Sequence, residues 1–320
     1  MLNQTFQDFE IVIRDDGSTD GTLDFLKEKY PAEISSGKIR LKSNAKNIGE
    51  FPTVTKLFLD SLGKYMAVLH SDDMYLPHAL QYFWDTAETY NADIVHTIKF
   101  LKSPPGGVIK KGTTLQIMSA EPKPVDKITL MPDDQVSRFE EWVYSTGAFG
   151  DRQYTLYRRE FVLEHRVLID TAGYCLWWLL LAKVYVKTPV IYYIHRNAPD
   201  SLTNSNSVSS TELYSIKGLE RFLNGLFGIG ECFDMYAADF EIFREHPEFG
   251  DFVKAKMFNM MTNEWIRTRN FYRNGTIPLE VRQVVEKVFK KHLGENASYP
   301  IFLFHLANLT PYVHGIERFF

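Results

Sequence analysis

Carboxylates gathered at two points are the side chains best suited to chemistry in this chain. Asp15-Asp16-Gly17-Ser18-Thr19-Asp20 follows the run Phe9-Glu10-Ile11-Val12-Ile13-Arg14, and His70-Ser71-Asp72-Asp73 follows Tyr65-Met66-Ala67-Val68-Leu69. Crowded carboxylates repel one another unless a cation or hydrogen-bond donors compensate them. The chemistry such groups suit is the holding of a hard metal ion and a polar ligand. Asp72 and Asp73 are the metal candidates, because a magnesium-type ion needs only one or two protein carboxylates. The plainer alternative is a polar turn that caps the helix after it. Asp15 and Asp16 can accept from the N–H groups of a ligand beside a helix N-terminus. An EF-hand reading of Asp16, Ser18, Asp20 and Gly21 fails, because Lys27 occupies the closing position where glutamate is required.

The elements that must position these groups follow from the apolar pattern. Short runs rich in Val and Ile, stopped by Gly and Asp, predict buried strands of a parallel sheet. Ligands of open sheets bind beyond the carboxyl ends of the strands, so the four carboxylates are expected on one rim. Helical spacing is expected from Thr19 to Tyr30, with Ser18 or Thr19 as N-cap, and over Phe51, Val54, Phe58 and Leu62, with Gly63 as C-cap. Pro77 suits the first turn of a helix carrying Leu80, Phe83, Trp84 and Ala87. With strands at Ile39-Arg40-Leu41 and Asp93 to Thr97, the alternation predicts an α/β fold. Residues 102–134, rich in Pro, Gly and Lys, read as a loop insertion, and a strand is expected over Gln153-Tyr154-Thr155-Leu156-Tyr157. The pattern turns helical beyond the Asn- and Ser-rich stretch, with Val281, Val284, Val285, Val288 and Phe289 on one face. The expected division is a catalytic domain over 1–205 and a helical region over 206–320.

Bulk composition narrows the function. A chain of 320 residues holds one large domain plus an appendage, and its 45% hydrophobic content is that of a globular protein. A net charge of -4 without a Lys/Arg stripe argues against nucleic acid as a partner. Two cysteines, Cys175 and Cys232, make no disulfide framework and fit a reducing, cytoplasmic setting. No G-x-G-x-x-G follows a strand, which argues against a Rossmann dehydrogenase. Most of the 24 Phe, 17 Tyr and 5 Trp are expected in the core, Trp177 and Trp178 among them. Tyr299 to Tyr312 is too short to span a bilayer; a packed helix is the expectation, with a membrane-surface segment as the alternative.

The segments Gln4-Thr5-Phe6-Gln7-Asp8-Phe9-Glu10-Ile11-Val12-Ile13-Arg14-Asp15-Asp16-Gly17-Ser18-Thr19-Asp20, Asn44-Ala45-Lys46-Asn47-Ile48-Gly49, and Gly63-Lys64-Tyr65 leading to Ser71-Asp72-Asp73 and Pro77 resemble family 2 glycosyltransferases in order and spacing. The resemblance covers the first third of the chain, weakens through the middle and is absent from the last third. It implies a GT-A fold, a nucleotide-sugar donor (a UDP-sugar), a Mn²⁺ or Mg²⁺ ion and an inverting displacement. By resemblance Asp73 is the direct metal ligand and Asp72 contacts the ribose or a water one layer out from the metal, while His70 replaces a third acidic residue. Lys46, Asn47, His195 and Arg196 are the further donor-binding candidates, the last two beside the diphosphate. The resemblance also implies an acceptor that is a glycan or lipid-linked precursor in cell-surface polysaccharide synthesis, used by a cytoplasmic enzyme at the inner face of the membrane.

Two departures stand out. The family begins with a strand and helix ahead of Gln4-Thr5-Phe6, whereas this chain starts at Met1; a start codon placed too late is the expected cause. The acidic pair that supplies the family's general base corresponds here to Gly173-Tyr174-Cys175. Neither Tyr nor Cys is an equivalent base at neutral pH. Asp170 is the substitute candidate and Asp151 a more distant one. The rival reading is a catalytically inactive nucleotide-sugar-binding or scaffold protein of the same fold. A nucleotidyltransferase lacks support, since no Gly-rich, Arg- or Lys-bearing triphosphate loop stands near the start of the sequence.

Overall fold

The computed structural model of the protein describes residues 1–119, 125–144, 154–165, 174–197, 220, 223–224, 237–250, 253 and 279–294. The chain divides into two compact units, Met1–Ala198 and Pro199–Phe320.

The first unit is an α/β fold whose described strands form three sheets. Strand β1 (Ile11–Asp15) pairs in parallel with β2 (Ile39–Ser43) through a crossover containing α1 (Thr22–Lys29) and α2 (Pro31–Ser35). After α3 (Glu50–Asp60), β3 (Tyr65–Ala67) joins a second sheet, whose order continues through β9 (Thr155–Arg158), β5 (Ile94–Thr97), β10 (Tyr185–Thr188) and β8 (Thr129–Leu130). The third runs β4 (Met74–Tyr75), β11 (Tyr193–His195), β6 (Lys99–Lys102), β7 (Gln116–Ser119). Parallel pairing expected from the βαβ pattern holds for β1–β2, β5–β10 and β6–β11. The second sheet is nevertheless mixed, because β9 lies antiparallel between β3 and β5. Among the described residues β1 has the single ladder partner β2, and β3 the single partner β9.

Period-two alternation divides the second sheet into two packed faces. Val95, Leu156 and Val186 turn to one side, where α4 (Ala79–Tyr90) supplies Ala79, Phe83 and Ala87. Ile94 and Tyr157 turn to the other, against Phe58 of α3, Phe161 of α6 (Arg159–Glu164) and Trp178 of α7 (Tyr174–Leu181). Trp177 and Trp178 are each 1% exposed, which removes them from any sugar-stacking role. Arg138, on α5 (Gln135–Tyr144), is also buried; it donates to the carbonyls of Leu179 and Ala182 at the end of α7 (2.8 and 2.7 Å). A cation at a helix C-terminus meets carbonyls that have no partner within the helix.

Several boundaries differ from expectation. Helix α1 begins at Thr22 behind Gly21, which is left-handed, and Asp20 rather than Ser18 or Thr19 receives the Thr22 N–H (3.0 Å). Helix α3 stops at Asp60, with Ser61 extended, so Gly63 is not its cap. Pro77 stands ahead of α4 rather than in its first turn, and its carbonyl accepts the Thr5 N–H (2.7 Å). The 102–134 segment is not wholly loop: β7 and β8 form there as short edge strands on β6 and β10. Leading residues are tied down by Gln4, which donates to the Leu76 carbonyl (2.8 Å) and accepts the Leu80 N–H (3.0 Å).

Within the second unit the described elements are a 3₁₀ turn (Ala237–Asp239), α8 (Glu241–Glu245) and α9 (Leu279–Leu293). Val285 and Val288 of α9 are buried, on the apolar face read from the sequence. No described helix is long and apolar enough to cross a membrane. The Tyr299 to Tyr312 segment lies outside the described residues.

Candidate functional site

Of the two carboxylates at the end of β1, one folds back on its own turn and the other reaches a neighbouring segment. Asp15 is buried, and its Oδ2 accepts the N–H groups of Gly17 (3.1 Å) and Ser18 (2.9 Å), folding the turn after the strand. Asp16 reaches across to the segment after β2. Its Oδ1 accepts from the Asn44 amide and the Ile48 N–H, and its Oδ2 accepts the Gly49 N–H, all at 2.9 Å. Partial desolvation pushes the Asp16 pKa up, but these donors outweigh it and hold the carboxyl below its ordinary value.

Asn44 organises this arrangement. It is buried, donates to Thr53 as well as to Asp16, and accepts from Arg14 (3.1 Å) and Lys56 (3.2 Å). Gly17 is required by contact as well as by conformation: at φ 76° a Cβ would lie 2.7 Å from the backbone of both Lys46 and Asn47. The β1 turn and the Asn44–Gly49 segment therefore touch main chain to main chain. Lys46 and Asn47 themselves are exposed on that segment.

The second cluster is assembled from residues more than a hundred positions apart. Asp73 closes a turn onto the His70 carbonyl (3.1 Å) and leads into β4, which pairs antiparallel with β11, Tyr75 opposite Tyr193. Its side chain is 1% exposed. On a strand, residues two apart share a face, and Tyr193 and His195 of β11 both meet this carboxylate. The Tyr193 hydroxyl donates to Oδ2; the Arg196 N–H donates to Oδ1 (2.7 Å), with His195 Nδ1 3.5 Å from the same oxygen. Burial raises the Asp73 pKa, but His195, Tyr193 and the Arg196 amide together draw it below its ordinary value. Burial, with Asp73 as acceptor, pushes the Tyr193 phenol well above its own.

The segment after β11 is fixed at several points. Ser103 donates its N–H to the His195 carbonyl (3.0 Å) and accepts the Asn197 N–H (2.9 Å), while Arg196 Nε donates to the Gly107 carbonyl (3.0 Å). His70, Asp72 and Asp73 each present a ligand atom within 4.8 Å of the others. Two carboxylates and an imidazole at that spacing fit a divalent cation that completes its shell with oxygens of a ligand. Asp73 can still contribute, because a carboxylate accepts about four hydrogen bonds or metal contacts and the protein supplies fewer.

Thus the structure joins Asp15 and Asp16 to the segment bearing Lys46 and Asn47, and joins Asp73 to His195 and Arg196. No hydrogen bond or ion pair links the two groups among the described residues. Among the described residues β1 and β3 belong to different sheets, so there the four carboxylates do not share the rim of one hydrogen-bonded sheet. Asp170 and Asp151 lie outside the described residues, as does Gly173. Sequence reasoning overlooked Tyr193 and Asn44. The first could have been found by its two-residue spacing from His195; for the second, a polar residue directly after a strand was the available sign.

Against known proteins, residues 1–162 match the sequence model described as glycosyl transferase family 2. An uncharacterized glycosyltransferase of Nostoc sp. is 28% identical over 232 residues, a match covering 69% of this chain and 66% of the relative. A cholesterol galactosyltransferase of Borreliella burgdorferi is 25% identical over 249 residues, covering 73% of this chain and 65% of the relative. The chain thus spans about two thirds of the length of these relatives. Among solved structures, S. aureus TarS 1-349 superposes with a TM-score of 0.50 at 15% identity, covering 91% of this chain and 74% of that one. The same protein in complex with UDP-GlcNAc gives 0.51 at 16% identity, covering 91% and 75%. At these identities the likeness is one of fold.

Proposed function

Since the chain belongs to glycosyl transferase family 2, we propose that it transfers a sugar from a nucleotide-sugar, with a UDP-sugar as donor, to a glycan or lipid-linked acceptor in cell-surface polysaccharide synthesis. The reaction proposed is a metal-dependent inverting displacement, carried out at the inner face of a membrane. The observation that carries this reading is the convergence of His195 and the Arg196 N–H on the buried Asp73 carboxylate, beside His70 and Asp72. It supports a cation site and a diphosphate contact close to one another. UDP-GlcNAc in the TarS complex and the glycosyltransferase names of the two relatives support the donor class.

Each residue then has a chemical task. Asp15 shapes the turn after β1, and Asp16 holds the Asn44–Gly49 segment, so that this surface is preorganised for the nucleotide. Lys46 and Asn47, exposed on that segment, would reach the diphosphate or donor sugar. Asp72 and Asp73, with His70, would hold Mn²⁺ or Mg²⁺, which supplies compensation for the charge that builds on the leaving diphosphate. His195 and Arg196, which flank that carboxylate, would share the same charge. As general base we propose Asp170, which would take the proton of the acceptor hydroxyl as it attacks.

Calorimetric titration of UDP, with and without Mn²⁺, tests the site. Binding is expected to require the metal, and Asp73→Ala is expected to remove that requirement and nearly all affinity while the fold is retained. Mn²⁺-dependent UDP affinity unchanged in Asp73→Ala would sink the assignment.

A further inference from the structure

We infer that Tyr193 is a positioning residue for the cation site: its hydroxyl fixes the plane of the Asp73 carboxylate and so sets how strongly that carboxylate holds the metal. This deepens the proposed function and rests on its reading of Asp73 as a metal ligand.

The argument begins with Asp73 itself. A 1% exposed carboxylate has almost no water to orient it, so the protein donors decide which lone pairs face outward. Two direct bonds do this, one on each oxygen: Tyr193 Oη on Oδ2 and the Arg196 N–H on Oδ1. The two donors differ in kind, one a main-chain N–H and the other a side-chain hydroxyl. Arg196 follows the last residue of β11, whereas Tyr193 is its first. The tyrosine ring is fully buried and packs edge-on against Tyr154 (4.9 Å between centroids) and Tyr75 (5.7 Å). Its backbone lies in a strand paired on both sides, with β4 and with β6. The hydroxyl is therefore a fixed point against which Asp73 is set. Oδ2 is also the oxygen nearer His70, with the His70 Nδ1 4.0 Å away. Turning the carboxylate would change the geometry of the ligand set formed by His70, Asp72 and Asp73. Removal of a group that orients a metal ligand typically costs about 10–100-fold in metal affinity.

The test compares three variants with the wild-type chain, reading the Mn²⁺ concentration that half-saturates UDP binding by calorimetry and the thermal unfolding midpoint without metal. Tyr193→Phe removes only the hydroxyl and is expected to raise the Mn²⁺ requirement about 10–100-fold with the fold kept. Tyr75→Phe is the control. It deletes a neighbouring hydroxyl, bonded to the Val68 carbonyl at 2.9 Å, and should leave the Mn²⁺ requirement as in wild type. Asp73→Asn should abolish the metal dependence. If Asp73→Asn keeps it, the metal-ligand reading fails and this inference with it. If Asp73→Asn loses it while Tyr193→Phe titrates like wild type or like Tyr75→Phe, the positioning role alone is overturned. Loss of the fold in Tyr193→Phe but not in Tyr75→Phe would assign the hydroxyl to stability and would also overturn it.

Discussion

Of the acidic residues at issue, Asp15, Asp16 and Asp73 are used first as hydrogen-bond acceptors for the protein itself. Asp16 binds two main-chain N–H groups and an amide, and Asp73 a hydroxyl and a main-chain N–H. Preorganisation of this kind lowers the cost of gathering negative charge before a ligand arrives. The inverting displacement proposed above needs, besides charge capture, a base for the acceptor hydroxyl. Asp170→Asn is therefore expected to lower turnover by about 10²–10⁴-fold with UDP affinity unchanged. Single-turnover transfer from a UDP-sugar reads the first quantity and calorimetry the second. Wild-type turnover in the variant would remove Asp170 from the mechanism.

Among the elements, the contact between the β1 turn and the Asn44–Gly49 segment is the most demanding. Gly17 lets the two backbones meet, and any side chain there must push them apart. Gly17→Ala is expected to cost about 1–3 kcal/mol of stability and to weaken UDP binding at least tenfold. Gly112→Ala offers the comparison: its φ is also positive, at 90°, but a Cβ there meets nothing within 4 Å. That variant should show a stability loss and no change in UDP affinity. Equal UDP affinities in the two variants would show that the close approach does not shape the site. Element positions were largely legible in the sequence: β1, β2, α3, α4 and β5 lie where the apolar periodicity put them. Their ends were not, because caps such as Gly21 and Ser61 are chosen by hydrogen bonding and backbone conformation rather than by hydrophobic pattern.

For the molecule as a whole, acid stability is where a buried group should be felt. His96 sits in the middle strand of the second sheet, hydrogen-bonded through Nδ1 to Thr155 Oγ1 (2.8 Å) and beside Lys187. Burial, reinforced by that lysine, pushes its pKa from 6.5 down to about 3. The unfolded chain takes up this proton below its own pKa near 6.5, whereas the folded chain resists until about pH 3. The His96 contribution is thus complete above pH 6.5 and declines as pH falls through that window, by at most about 1.4 kcal/mol per pH unit. Urea unfolding at several pH values between 7 and 4 should show a steeper loss for wild type than for His96→Gln. Parallel profiles would mean that His96 is not held neutral by the fold.

The sequence by itself determined the α/β class, the family resemblance and the acidic positions, because each rests on residues close together along the chain. Gln4 to Asp20, Asn44 to Gly49 and Ser71 to Asp73 carry their meaning within a few residues. Tertiary structure alone decided which donors those carboxylates meet. Tyr193 reaches Asp73 because β11 pairs with β4 in one particular register, and Asn44 reaches Asp16 because β2 lies parallel to β1. That β4 and β11 lie side by side is decided by contacts between residues more than a hundred positions apart, and no short segment of the chain displays that choice.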